Sequence, residues 1–265
     1  MTLDVSHQFV YAGLAAACMM TLLWLSAQVR KNANIVDVGW AAGMGLAALF
    51  LAATAAEEQP RRWFVGGLAA AWAFRLAGYL FANRVVGKPE DGRYLALRKR
   101  WGERAGTMFL LVFLAQVILI LLFAVPFRVA MAADRPLFDL WDLAALAIWL
   151  ASVVGESIAD AQLAAFRADP AQRGLVCQRG LWSCSRHPNY FFEWLHWWTY
   201  CLLAIGQTWW WLTLIGPALM ALFLFRVTGI PATEAHAIAS RGDAYRRYQK
   251  TTSVFFPWFA KKEST

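Results

Sequence analysis

Gly180-Leu-Trp-Ser-Cys-Ser-Arg-His-Pro-Asn-Tyr-Phe-Phe-Glu-Trp-Leu-His-Trp-Trp198 begins as a polar turn and runs unbroken into an aromatic, apolar segment. At its centre Arg186, His187, Pro188, Asn189 and Tyr190 crowd a cation, an imidazole, an amide and a phenol together. Pro188 suits the first turn of a helix, where its missing N–H costs nothing. A helix starting there sets Asn189 and Glu193 one turn apart on one face, with His196 close by. The segment is expected as a membrane helix that opens on a polar cluster. Such a cluster needs a polar ligand to justify it.

The rest of the chain shares this character. Of the 265 residues 60% are hydrophobic and only 16% charged, with a mean hydropathy of +0.43. A soluble domain carries about 25% charged residues. Apolar runs about as long as a bilayer is thick recur throughout. The expected fold is all-α: a polytopic membrane protein in which residues 1–265 form a single integral-membrane domain. Seven spans are read at roughly 9–28, 35–56, 63–82, 108–127, 140–163, 189–206 and 208–226. No Lys or Arg precedes the first, so it lacks the basic start of a signal peptide and is expected to be retained.

Charge decides whether the last two runs are one span or two. With seven spans, 20 of the 25 Lys and Arg fall on one side and four on the other, with Arg75 inside the third span. With six, the split is 11 against 13. The positive-inside rule therefore favours seven spans, the N-terminus outside and the C-terminus cytoplasmic. Fifteen Trp and a net charge of +8 fit an aromatic belt with basic loops, so nucleic acid is not an expected partner. Cys18, Cys177, Cys184 and Cys201 form no CxxC pair, and two of them fall in a cytosolic loop, so no disulfide is expected.

In the second span Gly39-x-x-x-Gly43 and Gly45 suit close helix packing. The Gly43-x-Gly45-x-x-Ala48 spacing matches a dinucleotide fingerprint, but no strand precedes it. Asp37 is a different matter, because an intramembrane carboxylate is a functional candidate by default. A helix-cap role or a pairing with Arg75 is the structural alternative. The loop from Glu90 to Gly106 is expected to hold a short interfacial helix. The fourth span, with Gln116 and Pro126 but no ionised group, reads as structural. In the fifth, Glu156 and Asp160 stand at i, i+4, and Arg167 falls on the same stripe. These three form either an internal ion network or a ligand site. In the tail, Phe255, Phe256 and Trp258 read as an interfacial anchor.

Glu193-x-x-His196 has di-metal spacing, but only one copy exists and no metal is expected. No G-x-S-x-G marks a nucleophilic serine. What remains are arginines, amides and carboxylates at the cytoplasmic ends of spans three, five, six and seven. Guanidinium forks and Lys suit phosphates, while carboxylates and Asn suit ribose and amide groups. The set points to a phosphorylated, nucleotide-like cofactor held among helices.

At these residues the sequence resembles the steroid 5α-reductase-like membrane enzymes, most closely a bacterial branch of them. The likeness covers most of the chain and is strongest from Glu156 to Pro257. It implies an enzyme that uses NADPH to reduce the C=C bond of a conjugated enone such as a 3-oxo-Δ4-steroid. The implied partners are that lipophilic substrate and membrane lipid, with no obligate protein partner. The implied location is a bacterial inner membrane, the cofactor site facing the cytoplasm. Family cofactor positions match at Asn83, Asp160, Arg167, Gly180-Leu181, Asn189, Glu193, Arg226 and the Tyr248…Pro257 pattern. The Asp160–Arg167 and Leu181–Asn189 spacings agree without gaps. Glu156 replaces an expected amide, and Glu234 stands near an expected tyrosine. Phosphate candidates beside Arg167 and Arg226 are Arg84, Lys88, Arg186, Arg246 and Arg247, and His187 and Tyr190 complete the cofactor set. The family's catalytic acid falls nearest Asp37. Its tyrosine partner falls at Trp72, so Tyr79 is the substitute hydroxyl candidate.

Isoprenylcysteine and phospholipid methyltransferases of membranes supply the alternative, with S-adenosylmethionine as cofactor. They resemble the chain in Arg186-His187-Pro188-x-Tyr190 and in an acidic residue after the last span, but commonly pair glutamates where this chain has Glu234-Ala235-His236. Sterol C14 and C24 reductases share the Arg-His-Pro-Asn-Tyr-like element, which keeps reduction ahead. A lipid-binding or transporter-like bundle would leave the arginines unexplained.

Overall fold

The computed structural model describes residues 2–56, 60–227 and 229–259. Residues 1, 57–59, 228 and 260–265 of the expected domain lie outside the described residues. Among the described residues the regular structure is helical, without a β-strand. In a bilayer core this satisfies every backbone N–H and C=O within its own segment. Among the described residues six helical runs are long and apolar enough to cross a membrane: Val5–Arg30, Ile35–Thr54, Pro60–Val85, Gly92–Met131, Leu140–Ala168 and Trp210–Arg241. The chain has two compact units, Met1–Asp139 with Leu203–Ile215, and Leu140–Leu202 with Gly216–Thr265.

The first unit contains α1 (Val5–Arg30), α2 (Ile35–Thr54), α3 (Pro60–Leu80), α4 (Gly92–Trp101) and α5 (Ala105–Met131). Asp4 caps α1 by accepting the His7 N–H, and Lys31 closes it in the left-handed conformation. Small residues let α2 and α3 approach. A Cβ on Gly66 would lie 2.8 Å from the Ala52 Cβ, and one on Gly45 would lie 3.0 Å from the Phe74 ring. Gly39 and Gly43 give the same room to Met20 and Leu23 of α1 and to Ile120 of α5. The glycine spacing thus serves helix packing, as expected. After Leu80 the chain widens into a π-helical turn, Phe81–Val85. The interfacial helix expected after Glu90 is α4, capped by Asp91.

α5 is longer than the expected 108–127 because it continues through Pro126 to Met131. This carries Arg128 into a buried position, where its Nε–H donates to Gln8 at 2.9 Å. Gln8 in turn donates to the Thr54 hydroxyl at 3.0 Å. The helix of the fourth span, α5, therefore does carry a basic side chain, and a buried amide is among its partners.

The second unit contains α6 (Leu140–Ala168), α7 (Leu181–Cys184), α8 (Pro188–Leu203), α9 (Ile215–Leu222), α10 (Ile230–Arg241) and α11 (Asp243–Thr251). A second π-helical turn, Phe223–Val227, follows α9. The apolar part of this last run ends there, since α10 carries Glu234, His236 and Arg241. The expected span at 189–206 is the 16-residue α8. At 1.5 Å per residue it reaches about 24 Å, short of the ~30 Å hydrocarbon core. It ends in a turn in which Gly206 takes a φ of +86°, the left-handed conformation that stops helices.

Candidate functional site

In the second unit, α6 and α8 meet where Gly155 leaves room for a ring. A Cβ on Gly155 would stand 2.4 Å from Phe192. One turn further along α6, the Asn189 amide donates to the Asp160 carboxylate at 3.3 Å. Asp160 and Glu156 are buried, Asn189 and Glu193 half-buried, and Arg167 stands exposed at the end of α6. Arg226 is exposed in the π-helical turn after α9. Four of the expected cofactor residues, Glu156, Asp160, Asn189 and Glu193, thus come from two helices held together by a glycine.

The turn before α8 is fixed from three directions. Gly180 takes a φ of +56°, and a Cβ there would lie 2.3 Å from the Gln162 amide. That amide's oxygen accepts the Leu181 N–H at 3.0 Å, and the Trp182 indole donates to the Ala159 carbonyl. Tyr248, buried on α11, donates its hydroxyl to the carbonyls of Trp182 and Ser185. The structure uses it as a tie across the turn. Arg186 is committed as well: its Nε donates to Glu234 at 2.6 Å and its Nη1 to the carbonyls of Gln249 and Thr252.

Glu234 is the hub that sequence reasoning left out of the site. It accepts from Arg186, from Tyr245 at 3.4 Å and from Gln249 at 2.8 Å, and His187 lies 3.3 Å away. His187 stacks on Tyr190, whose hydroxyl meets that of Thr233. Burial pushes the Glu234 carboxyl up, but hydrogen bonds from His187 and Arg186, the Arg186 charge and Gln249 outweigh it and hold the group at about 2. Between Glu193 and Asp243 it is the one acidic residue in the sequence. A half-buried Arg186 beside a buried His187 calls for an acidic partner, and a lone acid in so long a stretch was the available signal. Arg246, by contrast, is exposed and bonded locally, to Asp243.

In the first unit, Asp37 sits in the first turn of α2. Arg84 donates to it at 3.0 Å, Arg93 at 3.4 Å and the Tyr94 hydroxyl at 2.7 Å. The cations on Asp37 are therefore Arg84 and Arg93, where the sequence suggested Arg75. Arg84 lies in the first π-helical turn, and Asn34 ties its carbonyl and that of Pro89 to the start of α2. Glu90, whose burial is outweighed by bonds from Arg98 and the Ala33 N–H, is held below the usual carboxylate range. Asn83 is exposed and donates to the Tyr79 carbonyl, while Lys88 is exposed on the same loop. Arg93 and Tyr94 escaped the sequence reading because nothing local sets them apart from the other residues of a basic interfacial helix.

Among the described residues no three His, Cys, Asp or Glu side chains converge as a metal site. The four cysteines are free thiols. No curated protein and no solved structure matches the chain. A family model described as "Protein of unknown function (DUF1295)" matches residues 23–252, from the last turns of α1 through α11. That match takes in both the Asp37 cluster and the Asp160–Asn189–Glu234 set, so the chain belongs to the DUF1295 family.

Proposed function

We propose that the protein is a membrane-embedded, NADPH-dependent reductase of the conjugated C=C bond of a lipophilic enone, of the 3-oxo-Δ4-steroid type. The observation that carries the reading is the Asn189–Asp160 contact at the α6–α8 approach, with Glu156 buried one turn deeper. Acidic and amide side chains on apolar helices are rare and are functional candidates by default. The donor set suits a dinucleotide phosphate: exposed guanidinium groups of Arg167 and Arg226 for phosphates, carboxylates and an amide for hydroxyl and carboxamide groups. When bound, NADPH supplies the hydride.

The chain's own residues must then hold the carbonyl end of the enone. Hydride addition to the β-carbon builds negative charge on the carbonyl oxygen, which calls for a positioned donor. In the first unit the Tyr94 hydroxyl donates to Asp37 at 2.7 Å, and Arg84 and Arg93 ion-pair with the same carboxylate. We assign the donor role to the Tyr94 hydroxyl, positioned by Asp37, with Tyr79 as the further hydroxyl candidate. The reading includes seven spans and a cofactor site facing the cytoplasm of a bacterial inner membrane. It is supported by the 20-to-4 division of Lys and Arg.

The test is cofactor binding followed by turnover in liposomes. Purified protein should bind NADPH and saturate a 3-oxo-Δ4-steroid. Arg167→Ala should weaken NADPH binding about tenfold, the scale of one charge-assisted bond of about 1.5 kcal/mol. Asp37→Asn and Tyr94→Phe should spare NADPH binding and slow turnover by at least about tenfold. Binding of S-adenosylmethionine with methyl transfer, and no NADPH consumption with any enone, would replace this reading with the methyltransferase one.

A further inference from the structure

After α11 the chain crosses back over the polar turn as an irregular strap, Thr252–Phe259, and its side chains face two ways. Phe255 turns inward, 2% exposed, against Phe191, Trp194 and Phe225. It is therefore a core residue, where the sequence suggested an anchor. Its neighbours locate the strap: Phe191 lies in the first turn of α8 and Phe225 in the π-helical turn that ends the last apolar run. The strap thus sits at the ends of helices, where a membrane meets water. Phe256, Trp258 and Phe259 turn outward and are 58%, 69% and 86% exposed. Each ring is a large apolar surface, and three in four residues have no reason to face water. Just before them, Tyr245 and Tyr248 bury one face of α11, leaving Arg246, Arg247 and Lys250 exposed on the other.

The strap is also bonded to the turn that precedes α8. The Arg186 N–H donates to the Ser253 carbonyl at 2.8 Å and the Trp258 N–H to the Cys184 carbonyl at 2.9 Å. The Ser185 hydroxyl donates to the Phe255 carbonyl at 2.8 Å. We infer that the strap is a lipid-responsive foot: its outward aromatics enter the headgroup region of an anionic leaflet, and that hold keeps the Cys184–Arg186 turn folded. Aromatic rings beside exposed cations are the chemistry that recognises such a surface. The inference rests on the membrane reading and is independent of the reductase reading.

The test uses the full chain, with its native cysteines replaced by serine, in lipid nanodiscs. A bimane label at Phe259→Cys is compared with one at Asp243→Cys. Expected is at least threefold stronger quenching of the first by headgroup-attached spin labels, and weaker quenching by iodide. Hydrogen exchange in peptides covering residues 181–190 should be about fivefold slower in discs containing phosphatidylglycerol than in phosphatidylcholine alone. The double variant Trp258→Asp, Phe259→Asp should abolish that difference. Equal iodide access at both labels would overturn the foot. So would crosslinking between copies of the Phe259→Cys variant in lipid-free detergent, since the occupant would then be a second chain. Exchange that ignores lipid charge would overturn the coupling to the turn.

Discussion

Glu234 gathers Arg186, Tyr245 and Gln249 onto two oxygens with His187 beside them, and so holds α10 and α11 against the start of α8. Its carboxyl is held at about 2 against an ordinary 4.5. Because the folded value is the lower one, the unfolded chain takes up the proton first as pH falls. Docking of α10–α11 should therefore be at full strength above pH 4.5 and be lost between about 4.5 and 2. Proteolysis within residues 229–251, followed across that window, measures it. Glu234→Gln should abolish the pH dependence and cost about 1.5–3 kcal/mol, the scale of a hydrogen bond to a charged group. An unchanged cleavage profile would remove Glu234 from its hub role. At this scale the sequence showed which residues carry charge but not whom they meet. Asp37 stood out as an acid near a membrane span, yet its partners Arg84 and Arg93 come from the far side of a whole helix. Arg186 and His187 were legible as a cluster. Their roles were not, because a guanidinium reads the same whether it awaits a phosphate or holds a carboxylate.

Helices were more legible than contacts because an apolar run reports its own length. α1, α2 and α3 lie within four residues of where the hydropathy placed them, and α5 and α6 run past their expected ends by up to four and five residues. α8 ends three residues short of its expected end because hydropathy does not fall there. Ala204 and Ile205 are still apolar, yet the chain leaves the helix after Leu203 and turns through Gly206. Glycine pairs show the same limit. Gly66 and Gly67 are adjacent and indistinguishable in sequence, but Gly66 faces α2 while a Cβ on Gly67 would meet nothing within 4 Å. On Gly66 the new methyl would press on the Ala52 Cβ at 2.8 Å and the Ala48 carbonyl at 3.3 Å, neither of which can rotate away. Gly66→Ala should thus destabilise the α2–α3 pair by about 1–3 kcal/mol, the usual cost of overpacking. Gly67→Ala should be neutral or stabilising by about 0.5–1 kcal/mol, from helix propensity alone. Thermal unfolding of the two variants in one detergent compares them directly. Equal melting temperatures would mean that α2 and α3 do not pack through Gly66.

At the scale of the whole molecule, length and charge disagree about α8. Its 16 residues fall short of a bilayer, which argues for six spans. The basic residues argue for seven, because without a crossing at α8 the split falls from 20 against four to 11 against 13. A short helix is tolerated at membrane depth where protein surrounds it, since only lipid-exposed backbone must be fully paired. At the far end of α8, Leu203 and Ala204 are fully buried, and Tyr200 and Cys201 are buried beside them. Charge should therefore prevail and α8 should cross. Two single cysteines decide it, in a background without the native four: Asp134→Cys, between α5 and α6, and Lys250→Cys on α11, both at exposed positions. With seven spans a membrane-impermeant maleimide added to intact cells should label position 134 and reach position 250 only after permeabilisation. With six, α11 lies on the same side as position 134, and both cysteines label in intact cells. That second pattern would put Arg226 and Glu234 across the membrane from Arg167 and Arg186, against the Arg186–Glu234 bond, and the proposed cofactor site would lose Arg226.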